Sequence, residues 1–208
     1  MRPSVRNDPK NRGPKNETLS LIGTLILLFI LAIFIRAVIF EPYKIPSESM
    51  LPTLQVGDHV IVTKFDYGLR FPFLKKALFN YAEPARGDVV VFTRPDDPNS
   101  PEDDSAINLI KRVVGLPGDT VEVTNGKVFI NSIAYEEPYA VWVDGGANYF
   151  PPYKVPPGHV LVLGDNRDHS KDSRYWTSPY LPINLIKGKA QIIFFNMNNL
   201  KRVGTLLR

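Results

Sequence analysis

Hydrophobic and polar positions divide the chain into two regimes. From Thr18 to Ile35 (TLSLIGTLILLFILAIFI) no charged residue interrupts a run of mainly aliphatic and aromatic side chains. At about 1.5 Å per residue this run makes a helix of roughly 27 Å, close to the ~30 Å hydrocarbon core of a bilayer. Ala37-Val-Ile-Phe40 extends the span if Arg36 reaches its guanidinium to the interface. The run is longer than the apolar centre of a cleaved leader, and Arg36-Ala-Val-Ile-Phe-Glu41 offers no small-residue processing site. Residues 18–40 are therefore expected to be a retained membrane anchor, preceded by a basic tail over 1–17.

Beyond the anchor the pattern changes to short segments rich in β-branched residues, separated by turn signals. His59–Lys64, Asp88–Thr93, Ile107–Val114, Asp119–Thr124, Lys127–Asn131, His159–Leu163 and Lys189–Phe195 are the predicted strands. Asn125-Gly126, between two of them, predicts a two-residue hairpin turn. Only 73–82 (FLKKALFNYA) has a helical pattern. The expected fold class is mostly β and antiparallel, over residues 41–208, with a small subdomain at about 120–158. Arg94–Asp104 is proline-rich and acidic and reads as a loop.

Charge changes the picture little once it is located. The chain of 208 residues has a formal net charge of +4, but residues 1–17 hold five basic residues against two acidic ones, and Arg36 supplies the rest. The folded part is neutral by count, so no nucleic-acid partner is expected. The basic tail before the anchor predicts a cytoplasmic N-terminus and an extracytoplasmic domain. With no cysteine and three histidines, thiol chemistry is excluded and no metal or other cofactor is expected.

Two stretches carry candidate chemistry. Ser49 lies between Pro46 and Pro52 in Ile45-Pro-Ser-Glu-Ser-Met-Leu-Pro-Thr-Leu54, where the prolines restrict the backbone around a hydroxyl. Lys111 lies in Asn108-Leu-Ile-Lys-Arg-Val-Val-Gly115, on the same strand face as Leu109 and Val113. A lysine on an apolar face loses its proton more readily and can serve as a base towards a hydroxyl; it can equally run its stem over apolar surface and keep its ammonium in water. Local sequence leaves both open. In Gly164-Asp-Asn-Arg-Asp-His-Ser-Lys-Asp-Ser-Arg174, interleaved carboxylates and guanidiniums predict paired contacts that stiffen a loop. A calcium loop starting at Asp168 fails, because Ser173 replaces the required glycine and Pro179 the closing glutamate. No G-x-S-x-G elbow is present, and His169 sits directly beside Asp168 and Ser170, which does not suit a serine–histidine–acid relay.

Pro46–Leu54, Arg86–Phe92, Lys111–Asp119 and Gly164–Arg174, in this order, resemble the motifs of bacterial type I signal peptidases, membrane-bound Ser–Lys proteases. The resemblance implies a catalytic domain of two antiparallel sheets, Ser49 as nucleophile and Lys111 as general base. It implies that Ser47 joins the Ser49 N–H in an oxyanion hole and that Ser170 orients the lysine. Asp165, Arg167, Asp172 and Arg174 match supporting residues. Tyr43, Ile45, Met50, Leu54, Val91 and Ile110 match positions lining the S1 and S3 pockets for small residues at −1 and −3. Strict alternation sets Ile110 opposite Lys111, so a bulge or a turn in the backbone is expected there. Glu48 stands where glycine is frequent and Leu109 where an aromatic is common.

The expected function is removal of signal peptides from secreted preproteins at a bacterial plasma membrane. The expected partners are those signal peptides and the lipid bilayer, near the translocation machinery. Phe71-Pro-Phe-Leu74, Phe79 and Tyr81 are candidates for an interfacial contact, with core packing as the alternative. A non-catalytic membrane-anchored β domain, and a Ser–Lys peptidase with one dedicated target, are the competing readings.

Overall fold

The computed structural model describes residues 14–69, 79–80, 82–95, 108–143 and 149–207. It separates into two units, residues 1–37 and 38–208.

The first unit is dominated by helix α1 (Pro14–Val38). Within it, Thr18–Ile35 has a mean hydropathy of 2.8 and none of it is buried. Leu21, Leu25 and Phe29 are each about two-thirds exposed on its surface. Helical backbone bonds satisfy the polar groups internally, and side chains of this kind are stable only against lipid or protein, so α1 fits a membrane anchor. The helix stops at Val38, and Phe40, expected to close the anchor, is the first residue of a strand instead.

The second unit is β. Its larger sheet contains β1 (Phe40–Lys44), β2 (His59–Thr63), β5 (Val89–Thr93), β6 (Asn108–Gly115), β11 (His159–Leu163), β12 (Leu181–Pro182) and β13 (Ile186–Phe195). Their spatial order is β1-β2-β13-β5-β6-β11-β12, with every adjacent pair antiparallel. A smaller antiparallel sheet has the order β10-β7-β8-β9, from β7 (Thr120–Thr124), β8 (Lys127–Ile130), β9 (Ile133–Tyr135) and β10 (Phe150–Lys154). Asn125 and Gly126 have φ of 50° and 71°, the left-handed pair that a tight β7–β8 hairpin needs.

Proline placement follows the missing donor. Pro42 sits on β1, an edge strand, and Pro151-Pro152 on β10, also an edge, where the register shifts between Phe150 and Tyr153. An N–H is dispensable at both sites.

The continuous apolar runs of the central strands reflect burial on both faces. Along β5, Val89 and Val91 enter one core with Ile45, Met50 and Leu54, whereas Val90 and Phe92 enter another with Val113 and Val162. A third core joins the two sheets through Val114, Leu161 and Leu163 from the larger and Val121, Val123 and Phe150 from the smaller.

Two expectations change. Phe79–Asn80, inside the stretch with a helical pattern, is strand β4, paired with β3 (Gly68–Leu69). Pairing with a distant partner overrides a short helical periodicity. The bulge expected at Ile110 is absent from the β5 pairing: Val91 faces Ile110 and Val90 faces Lys111 in unbroken register. The register shift occurs on the other side of β6, between Leu161 and Val162 of β11. Phe71–Leu74 and Tyr81 lie outside the described residues, as do 96–104 of the acidic loop.

Candidate active site

The nucleophile candidate stands on the turn after β1. Leu51 N–H donates to Glu48 O at 3.0 Å and Leu54 N–H to Met50 O at 2.8 Å, which curls the chain around Ser49. Met50 and Leu54 are fully buried and Ile45 nearly so, pinning the turn from below. The Leu51–Pro52 peptide is cis.

Lys111 comes from the middle of β6, 62 residues later in the chain, and its Nζ lies 2.8 Å from Ser49 Oγ. The Nζ also donates to Ile110 O at 2.9 Å. Ser49 is 7% exposed and Lys111 3%. The choice left open by the sequence is thereby made: the amine stays inside instead of reaching water. Burial pushes the Lys111 amine down to about 8, against the opposing pull of Asp172 and Asp165. Desolvation wins because both carboxylates already have guanidinium partners. Arg112 grips Asp165 through Nε at 2.9 Å and Nη2 at 2.7 Å, and Arg174 grips Asp172 at 2.8 and 2.9 Å. Each carboxylate therefore presents a largely neutralised field to the lysine.

A neutral amine has two N–H bonds and one lone pair. With an N–H committed to Ile110 O, the lone pair is available to the Ser49 hydroxyl proton, the arrangement a general base requires. Ser47 Oγ lies 3.4 Å from Ser49 Oγ, within reach of the same reaction centre.

Ser170 departs from expectation. Its Oγ is buried and has no hydrogen-bond partner among the described residues, and the group that holds Lys111 is the Ile110 carbonyl. Ser170 packs instead against Gly164, where an added Cβ would lie 2.2 Å from Ser170 Oγ and 2.5 Å from Ser49 O. Only a residue without a side chain lets these two serine-bearing segments approach so closely.

The expected supporting residues come together with partners that the sequence did not reveal. Asp172 also accepts Gly164 N–H at 2.9 Å, and Asp165 accepts Thr53 Oγ1–H at 2.5 Å. Arg167 turns away towards Glu137, which it meets at 2.6 and 2.8 Å, while its Nε donates to Gly164 O. The guanidinium of Arg112 stacks 3.9 Å over the Tyr139 ring. Residues 137–143 thus form a strap along the loop that begins at Gly164, with Val141 N–H donating to Asp165 O and Arg167 N–H to Val141 O. Arg86, from the second motif, ties Asp119 of the third at 2.9 Å.

All six expected pocket residues occupy one apolar cluster. Ile45, Met50, Leu54, Val91 and Ile110 belong to it, and Tyr43 packs against it. Met50 and Leu54 are wholly enclosed, so they belong to the core of this cluster. Asn166, which the sequence reading passed over, is buried with its amide on the nucleophile turn. His169 contacts Asn166, not Ser49. Among the described residues no group of three or more His, Asp or Glu is placed to hold a metal.

Comparison with known proteins supplies the family. Residues 18–195 match the family model described as "Signal peptidase, peptidase S26". A signal peptidase I of Pseudomonas fluorescens is 41% identical over 77% of this chain, which spans 63% of that protein's length. A signal peptidase I of Pseudomonas aeruginosa is 37% identical, with 86% of this chain and 76% of the relative covered. One from Leptolyngbya laminosa is 40% identical across 95% of this chain and 88% of its own. The crystal structure of a signal peptidase I from Enterococcus faecalis overlaps 52% of this chain at 29% identity with a TM-score of 0.42, so the assignment rests on the sequence matches. Those matches run from the apolar helix to the last long strand, through every motif around Ser49 and Lys111, and the chain belongs to the signal peptidase family, peptidase S26.

Proposed function

We propose that this chain is a membrane-anchored serine endopeptidase that removes signal peptides from exported preproteins through a Ser49–Lys111 dyad. The observation that carries the dyad is the 2.8 Å separation of Ser49 Oγ and Lys111 Nζ inside a buried wall. Neutral Lys111 accepts the hydroxyl proton as Ser49 Oγ attacks the scissile carbonyl. The resulting oxyanion is stabilised by the Ser47 hydroxyl and the Ser49 N–H, at about 3–4 kcal/mol per donor in comparable sites. The proton passes to the leaving amine, the mature protein departs, and water deacylates the enzyme with Lys111 again as base. In this reading the preference for small side chains at −1 and −3 comes from the apolar residues Ile45, Val91 and Ile110, which sit in one buried cluster with Met50 and Leu54.

In this reading α1 crosses a bacterial plasma membrane with its basic end in the cytoplasm, and residues 41–208 work on the outer side near the translocation machinery. The test is incubation of the detergent-solubilised full chain with a preprotein carrying alanine at −1 and −3. Wild type cleaves once, at the expected bond, and Ser49→Ala and Lys111→Met do not. Absence of cleavage by wild type, or undiminished cleavage by Lys111→Met, sinks the proposal.

A further inference from the structure

The peptide between Glu48 and Ser49 is held from outside its own turn. Asn166 Nδ2 donates to Glu48 O at 3.2 Å, and Asn166 N–H donates to Ser49 O at 3.2 Å. Asn166 is 4% exposed and lies 118 residues from Glu48 in the chain. In a planar trans peptide the carbonyl of one residue and the N–H of the next point in opposite directions. A hold on Glu48 O therefore sets where Ser49 N–H points, which is away from Asn166. That N–H donates to no acceptor among the described residues. Leu51 N–H reaches the same carbonyl, at 3.0 Å, from within the turn, so Asn166 supplies the external half of the restraint.

The amide itself is oriented in turn. His169 Nδ1 lies 3.3 Å from Asn166 Oδ1. An amide oxygen only accepts, so His169 donates from Nδ1, leaving the amide's N–H bonds directed at the nucleophile turn.

We propose that Asn166 is a positioning residue for the oxyanion hole: it aims the Ser49 N–H at the developing oxyanion, with His169 fixing its amide. The inference rests on the assignment of Ser49 as nucleophile. Because the restraint acts on a donor used only once the carbonyl has become tetrahedral, its loss slows turnover and leaves substrate binding intact.

The test compares wild type with Asn166→Ala, Asn166→Asp and His169→Ala in the full-length protein. Asp keeps the shape and an acceptor for His169 but has no N–H for Glu48 O. Three quantities are measured: kcat and KM on a preprotein, affinity for a peptide boronate that forms a tetrahedral adduct on Ser49, and affinity for a reduced-amide peptide that has no carbonyl at the scissile position. Both Asn166 variants should lose kcat by about 10- to 100-fold, less than the roughly 100- to 1,000-fold seen when an oxyanion donor is deleted outright. KM should stay within about twofold, boronate affinity should fall with kcat/KM, and reduced-amide affinity should not change. His169→Ala, an exposed site that leaves the core untouched, should lower kcat by about threefold to tenfold with the same KM, a fraction of that donor's worth.

Unchanged kcat in folded Asn166 variants overturns the inference while leaving the dyad standing. Equal losses for boronate and reduced-amide peptide also overturn it, since that is what loss of packing alone produces. Should the Asn166 variants not fold, an unaltered kcat in His169→Ala overturns it. A wild type that neither cleaves nor forms the boronate adduct removes the dyad, and the inference with it.

Discussion

Lys111 is under opposite demands, and their balance is measurable. Its amine is pushed down to about 8 when folded, below the ~10.4 of an unfolded lysine. Below pH 8 the folded state must either protonate a buried amine or hold it neutral at a cost, so the destabilisation is fully present there. It is relieved as pH rises from about 8 towards about 10.4. Two outcomes follow from the same number. The kcat/KM profile should rise with pH through an apparent pKa near 8, because only the neutral amine takes the serine proton. Lys111→Met should abolish cleavage yet be more stable than wild type at pH 7, by about 3 kcal/mol, with the gap narrowing above pH 8 and closing past about 10.4. A pH–rate profile that is flat between 6 and 9, or a Met variant that melts lower at pH 7, contradicts this account.

Gly164 is the second residue with a single-atom role. A Cβ there would overlap both Ser170 Oγ and the Ser49 carbonyl. Gly164→Ala should cost about 1–3 kcal/mol or more in denaturant midpoint analysis and displace Ser49 relative to Lys111. A variant with wild-type stability and kcat would show that the loop yields more easily than its packing indicates.

Among the elements, the strap over 137–143 and the loop that begins at Gly164 are held mainly by buried charge pairs. The side chains of Arg112 and Asp165 are fully enclosed, and those of Arg167 and Glu137 are 0% and 6% exposed. Removing one partner leaves the other enclosed and uncompensated, which costs about 3–5 kcal/mol, whereas exposed pairs are worth a fraction of that. Glu137→Gln and Asp165→Asn should each destabilise by several kcal/mol, and neutralising the half-buried pair Lys64–Glu41 should shift the melting transition less. Comparable effects from all three would remove burial as the deciding factor.

The elements also show what the sequence carried. Strands β5, β6, β7, β8 and β11 were legible because their β-branched runs and the Asn125-Gly126 turn are local signals. Ser49 and Lys111 were legible through motifs, and the pairing of carboxylates with guanidiniums through their crowding in 164–174. Partner choice was not legible. Glu137 is chosen by Arg167 across 30 residues, and Asn166 reaches a carbonyl 118 residues away. Nothing near either residue encodes such a contact. Strand β1 was hidden because Phe-Glu-Pro-Tyr-Lys contains a proline and no β-branched residue, and its strand character comes from pairing with β2. The Lys111–Ile110 contact escaped because a backbone carbonyl has no sequence signature.

For the whole molecule, the anchor and the β unit make separable contributions. Tethering enzyme and precursor to one surface raises their effective concentration without adding a contact at the site. Residues 38–208 expressed alone should therefore cleave a short soluble peptide with kcat within about threefold of the full chain, but show a markedly higher KM for a precursor in liposomes. Equal KM values for the two forms in liposomes would remove the tether from the account. Orientation is accessible by labelling, since the chain contains no cysteine to interfere. A cysteine introduced at Asn7 should resist an impermeant maleimide in intact cells, and one at Lys201 should react.

Ser49 and Lys111 lie 62 positions apart in the chain and meet only once β6 has joined the sheet and enclosed the amine. In an extended chain that amine is charged and the hydroxyl is an ordinary alcohol. Under the proposed Ser49–Lys111 mechanism, a copy whose sheet has not yet formed is chemically silent towards every precursor beside it, and towards itself, because the fold itself creates the base.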